Sequence, residues 1–275
     1  MIIAEATFMN TEDVQTTPVK KHFISPKIDS FFLDIYNVYK FITRFFKEAF
    51  SGSFEGKETL RQCYEVGYRS LFLISLTGFI TGIVFTKQSR PSLSTFGASS
   101  WLPSLISIAV VRALAPLVTA LITAGKVGSN MGAELGSMKV TEQIDAMEVS
   151  ATNPFKFLVV TRIIASTLMQ PVLMLYSAFV GMMGSFINVY ANEQTGFRAF
   201  FESAFSSISF LDIFSSVFKS FLYGFTIGVT GCYQGWNAQN GTQGVGKSAN
   251  SAVVISMFMI FIEEMVVVQF TNAIR

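Results

Sequence analysis

Two groups of residues in this sequence have the types and spacing to do chemistry. The string Gly241-Thr-Gln-Gly-Val-Gly-Lys247-Ser248 matches GxxxxGK[ST], in which backbone N–H groups wrap phosphates while the lysine and serine serve phosphate and magnesium. Arg112, Glu263 and Glu264 stand in otherwise apolar stretches, where an ion must find a partner or water. Two adjacent carboxylates could also act as acid and base of a lipid-modifying enzyme, but no nucleophile or metal constellation accompanies them. The other reactive types are sparse. Cys63 and Cys232 are far apart and form no metal-ligand or redox spacing, and the single His22 leaves no histidine-based metal site or triad.

The elements that must position these residues are set by composition. Of 275 residues, 51% are hydrophobic and 14% charged, and the 29 Phe outnumber the 20 Lys and Arg. A soluble domain carries about 25% charged residues. Uncharged runs extend over Pro91–Val111, Ile163–Asn192 and Ser220–Gly246, each at least as long as the ~20 apolar residues that cross a bilayer as a helix. The expected fold is an all-α membrane protein with five transmembrane helices, near 66–86, 104–125, 157–190, 215–235 and 250–272. The third is longer than a crossing needs, so it must tilt, kink at Pro171 or project. The net charge of +2 gives no reason to expect nucleic acid.

Residues 1–28 are polar and read as a flexible cytoplasmic tail. They contain no h-region, and Glu5, Glu12 and Asp13 oppose an organellar transit peptide. In residues 29–56, Phe31, Ile35, Val38, Ile42, Phe45 and Ala49 recur at three- and four-residue steps between Asp34, Lys40, Arg44 and Lys47. That pattern predicts an amphipathic helix lying in the membrane interface; packing on a soluble partner is the alternative. Lys and Arg are densest before the first span and recur in the 125–156 loop, which puts the N-terminus in the cytoplasm and the C-terminus outside. GxxxG pairs at Gly78/Gly82, Gly224/Gly228 and Gly231/Gly235 permit close helix contact. Phe197, Phe200, Phe201, Ala204 and Phe205 predict a short interfacial helix between spans three and four.

This context argues against the phosphate-loop match. A working loop of that kind follows a buried strand and opens a helix of an α/β domain; here Gln234–Gln243 precedes it and a span comes after it. Gly241–Ser248 is expected to be a Gly-rich turn between spans.

Within the 125–156 loop, Val140, Ile144 and Met147 share one face of a predicted helix and Glu142, Asp145 and Glu148 share another. Such a helix suits docking into a cytoplasmic partner's groove, and equally suits plain solvation. The segment Ala124-Gly-Lys-Val-Gly-Ser-Asn-Met-Gly-Ala-Glu-Leu-Gly-Ser-Met-Lys-Val-Thr-Glu-Gln-Ile-Asp-Ala-Met-Glu-Val149, with Asn153-Pro-Phe-Lys-Phe-Leu-Val-Val-Thr-Arg162 after it, resembles the signature of the MlaE/YrbE permease family. Phe96-Gly97-Ala98, Arg112 with Pro116, Gly231-Cys232-Tyr233 and Gly244-Val245-Gly246 extend the resemblance over most of residues 60–272.

The resemblance implies a homodimeric permease subunit, residues 57–275, of an ABC lipid transporter in the bacterial inner membrane. Its loop between spans two and three would be the coupling helix that meets a cytoplasmic ABC ATPase, with Glu134, Glu142, Gln143, Asp145 and Glu148 as the contact positions. The other implied partners are a periplasmic MCE-domain protein, a small cytoplasmic accessory subunit and membrane lipids. No cofactor is expected in this chain, and ATP and magnesium would belong to the ATPase. A scaffold that only anchors these partners is a further alternative. The sequence departs from the family at Arg112-Ala-Leu-Ala-Pro116, where a Glu is common after the Arg, at Asn240-Gly241, where Gly-Gly is usual, and at Glu263-Glu264, where the family has one acid.

Counting ~1.5 Å per residue, Arg112 and Glu264 lie at similar depth. Arg112 is expected to pair with Glu263 or Glu264 across spans two and five. The pair would either meet a lipid headgroup in a cavity or only fix helix register, the second being the simpler role.

Overall fold

The computed structural model describes residues 26–51, 55–239 and 241–274. The expectations for the tail up to residue 25, including His22, and for Asn240 and Arg275 lie outside the described residues. The chain divides into two units, Met1–Lys40 and Phe41–Arg275, and the division falls inside the first helix, α1 (Pro26–Ala49). Proline at the start of α1 costs nothing, because the first N–H groups of a helix have no internal acceptor. In the second unit, Phe41 and Phe45 at the end of α1 are buried in a cluster with Phe155, Leu158 and Cys232. Arg44 lies 4.2 Å over the Phe155 ring, a cation–π contact. The end of the amphipathic helix is therefore held by protein.

Beyond α1, the described residues contain five helical segments long and apolar enough to cross a membrane: Gly56–Thr95, Ser99–Val140, Phe155–Glu193, Phe210–Trp236 and Gly241–Ala273. Span 1 joins α2 (Gly56–Val66) to α3 (Leu71–Thr95) through a 3₁₀ turn at Tyr68–Ser70. Span 2 joins α4 (Leu102–Ala109), α5 (Ala115–Thr123) and α6 (Ser129–Val140) through π turns at Val110–Leu114 and Ala124–Gly128. After the short α7 (Gln143–Val149), span 3 opens with a π turn at Phe155–Val160 and continues as α8 (Thr161–Glu193), which stays helical through Pro171. Next come α9 (Phe197–Ser206), α10 (Phe210–Trp236) and α11 (Gly241–Ile274). The predicted interfacial helix at 197–205 is α9. Its Phe200 and Ala204 are buried against Leu102 and Ile106 of α4, and Ser107 donates to the Ala204 carbonyl at 3.0 Å.

Small residues decide how closely the spans approach. A methyl group on Gly82 of α3 would overlap the Gly181 carbonyl of α8, and Gly78 faces Ser177 in the same row. Lipid supplies no hydrophobic drive between helices, so backbone proximity and packing must hold them. Gly82→Val should therefore separate spans 1 and 3. We expect a loss of at least the ~1–3 kcal/mol typical of overpacked sites, read as a lower aggregation temperature in detergent. The control is Val84→Ala, at an exposed position of the same helix, which should change little.

Candidate functional site

Spans 2, 4 and 5 bring a set of charged and polar side chains together inside the apolar part of the bundle. Helix α10 is started by a capping box: the Ser209 side chain accepts from the Leu211 N–H, and the Asp212 carboxylate accepts from the Ser209 N–H at 3.1 Å. This fixes Asp212 at the mouth of the site. Further along the same helix, about one turn apart, come Ser216, Lys219 and Tyr223, all buried. From α11, Glu264 receives Lys219 Nζ at 2.8 Å on one carboxylate oxygen and the Tyr223 hydroxyl on the other. Glu263 accepts from the Thr226 hydroxyl. From the π turn of span 2, Arg112 donates to Asn272 Oδ1 at 2.5 Å and lies 4.0 Å from Asp212 Oδ1.

The expected pairing of Arg112 with Glu263 or Glu264 is thus replaced. Glu264 is taken by Lys219, whose side chain is only 2% exposed and which supplies the nearer cation, while Arg112 turns to Asp212 and Asn272. The sequence announces the polarity of this region but not its partners. Lys219 carries a signal, since it lies inside the expected fourth span and an intramembrane cation needs an anion. Asp212 and Asn272 sit at helix ends, where a polar residue attracts no notice in a sequence. Beside this cluster, Asp212, Phe214, Phe218, Val267, Phe270 and Thr271 line a largely apolar cavity of about 500 Å³ between α10 and α11. An apolar volume bordered by a few fixed polar groups suits a molecule with an apolar body and a polar head.

The acids of the 125–156 loop do not share one helix. The predicted helix carrying Val140, Ile144 and Met147 breaks after Val140, where Glu142 takes a left-handed conformation (φ 59°). The Thr141 hydroxyl bonds back to the Ser137 carbonyl, and Lys139 pairs with Asp145 at 3.0 Å across the break. The turn lets Ile144 bury fully and Met147 pack on the core, leaving Glu142, just before α7, and Gln143, Asp145 and Glu148 within it exposed. Glu134 does not join them. It lies on α6, and its carboxylate is 2.9 Å from the fully buried Arg162 of α8, whose guanidinium also reaches the Leu158 carbonyl. That carboxylate neutralises a buried arginine while its own side chain stays 41% exposed.

The Gly241–Ser248 string is also corrected: it forms the first two turns of α11 and not a turn between spans. Ser248, the residue that would hold magnesium, is buried and donates to the carbonyls of Gly132 at 3.0 Å and Val245 at 2.9 Å, tying α11 to α6. Lys247 borders a polar recess with Gln234, Asn237, Gln239 and Gln243.

Known proteins share this sequence over most of its length. The family described as Permease MlaE matches residues 59–270. A probable ABC transporter permease protein of Synechocystis is 38% identical over 220 residues, covering 79% of this chain and 82% of the relative. One from Rickettsia typhi is 33% identical over 210 residues, covering 76% and 81%. The Arabidopsis thaliana protein named trigalactosyldiacylglycerol 1, chloroplastic, is 34% identical over 219 residues, covering 80% of this chain and 63% of the relative.

Proposed function

The chain belongs to the MlaE permease family, and from that premise we propose that it is the lipid-moving subunit of an ABC transporter that exchanges phospholipid or a related lipid with an MCE-domain protein. The observation that carries this reading is the family match itself, which covers residues 59–270 and so includes α7, Arg112, Lys219 and Glu264. The Arabidopsis relative is named for a glycolipid, which supports a lipid as cargo. In this reading two copies form the permease in a bacterial inner membrane, with the N-terminus cytoplasmic and the MCE protein and C-terminus on the periplasmic side. The cargo would serve outer-membrane lipid homeostasis.

ATP and magnesium reside in a separate cytoplasmic subunit, with or without a small accessory protein beside it. That subunit meets the exposed residues at α7: Glu142, Gln143, Asp145 and Glu148. Because Ile144 and Met147 of α7 are seated in the core that includes Phe155, a push on α7 is delivered to the start of span 3 and to the end of α1. The resulting shift reshapes the cavity between spans 4 and 5. Arg112 meets the anionic part of the headgroup there, while the apolar walls take acyl chain.

The test is reconstitution. Tagged chain is purified from its own cells in mild detergent, with co-purifying proteins and lipids identified by mass spectrometry, and the recovered complex is returned to liposomes. An ABC ATPase, an MCE protein and ATP-dependent movement of fluorescent phospholipid are expected. Lipid turnover by the chain alone would overturn the reading in favour of an enzyme. Full assembly without lipid movement would leave a scaffold.

A further inference from the structure

Span 2 carries a backbone fault that span 4 repairs, with span 5 holding the repairing lysine. At Val110–Leu114 the helix widens to a π turn, and the Ala115 N–H reaches the Val110 carbonyl. In an α-helix that N–H would serve Val111, and the N–H of residue 116 would serve Arg112. Residue 116 is proline and has none. The carbonyls of Val111 and Arg112 thus lose their regular donors within the apolar part of the span, where an unmet carbonyl costs several kcal/mol.

Span 4 supplies both replacements. Ser216 Oγ, which shares its proton with the Asp212 carbonyl of its own helix at 2.7 Å, lies 2.9 Å from the Val111 carbonyl, and Lys219 Nζ donates to the Arg112 carbonyl at 3.4 Å. Lys219 is in turn held by Glu264 of span 5 at 2.8 Å, and Glu264 is steadied by the Tyr223 hydroxyl. A lysine needed only for ion pairing with span 5 would have no reason to reach the one carbonyl that Pro116 leaves open.

We propose that Lys219 is the positioning residue for Arg112. By bonding the carbonyl of Arg112 itself, it keeps the π turn open and so sets the direction in which the guanidinium leaves span 2. One residue fewer or more in a turn rotates the adjoining helix by about 100°, enough to take Arg112 away from Asn272 and Asp212. Through Glu264 the same contact ties the aim of Arg112 to span 5, so movement of span 5 turns the headgroup contact. This rests on the reading of Arg112 as a headgroup contact in a lipid permease.

Two measurements separate the two ideas. In the first, Arg112→Cys and Asn272→Cys are joined by a short bis-methanethiosulfonate linker in a chain whose Cys63 and Cys232 are replaced by Ser. Lys219→Met with Glu264→Gln, which removes the ion pair without leaving a lone charge, should lower cross-linking at least fivefold. Unchanged cross-linking overturns the proposal, whether or not lipid moves. In the second, the reconstituted complex moves fluorescent phosphatidylglycerol from phosphatidylethanolamine vesicles. Arg112→Gln alone should lower transport at least tenfold, but less than twofold further when added to the Lys219/Glu264 double variant. Independent, multiplying losses overturn the proposal and leave the transport reading intact. Pro116→Ala returns an N–H to the Arg112 carbonyl with Lys219 and Glu264 in place; it should reproduce the loss of cross-linking, and undiminished cross-linking there also overturns the proposal.

Discussion

Changing Glu142 and Glu148 to lysine together should release the ATPase from the purified complex, lowering its capture at least a hundredfold while the permease and any MCE partner remain together. Both carboxylates are exposed, Glu142 just before α7 and Glu148 within it, and neither is in an ion pair among the described residues. Asp145, by contrast, already shares its charge with Lys139 at 3.0 Å, so Asp145→Asn should cost less. Reversing charges at a complementary interface costs several kcal/mol, and each 1.4 kcal/mol is tenfold in affinity. Because the contact lies in water, the wild-type capture should also weaken as salt rises from about 0.1 to 0.5 M. Ile144 and Met147 are untouched by these changes, so the thermal stability of the permease should stay near its original value. A stable permease that keeps its ATPase after both reversals would remove α7 as the coupling surface.

Glu264→Leu should be among the most destabilising single changes in the chain. The Lys219 side chain is 2% exposed, and removing its carboxylate partner leaves an ammonium without its anion and the Tyr223 hydroxyl without its acceptor. Breaking a buried ion pair from one side costs about 3–5 kcal/mol, whereas replacing both partners by neutral groups of similar size is often nearly neutral. Thermal unfolding followed by loss of the monodisperse peak in detergent should show a large fall for Glu264→Leu and substantial recovery when Lys219→Met is added. Glu263→Gln should do little by comparison, because its partner is the Thr226 hydroxyl, which can still donate to the amide oxygen. Equal damage from Glu263→Gln and Glu264→Leu would show that the two acids are not distinguished by Lys219.

The division between Glu263 and Glu264 illustrates where sequence reading stops. Apolar length announces a span because bilayer thickness sets it, and a charge within a span announces a polar interior because hydrocarbon does not solvate it. Neither rule names the partner. Glu264 differs from Glu263 by one residue, about 100° around the helix, and that rotation alone gives it Lys219. Likewise, the helical face of Val140, Ile144 and Met147 is legible as a pattern. The break at Glu142 is not, because a left-handed non-glycine residue is disfavoured locally and persists only where the burial of Ile144 sustains it.

Apolar length, periodicity and a contiguous motif suffice to establish the all-α membrane class, the five spans, the short helix at α9 and the family, because each is a property of one stretch of chain. Four other features exist only once the helices are assembled. Glu134 belongs to Arg162, Arg112 belongs to Asp212 and Asn272, Lys219 joins spans 2, 4 and 5, and the Gly241–Ser248 string is helix tied down by Ser248. The physical reason is common to all four. A buried polar group takes whichever complementary group the packing of separate helices brings within about 3 Å, and that proximity is set by rotation and depth of whole spans, which no local stretch of sequence encodes.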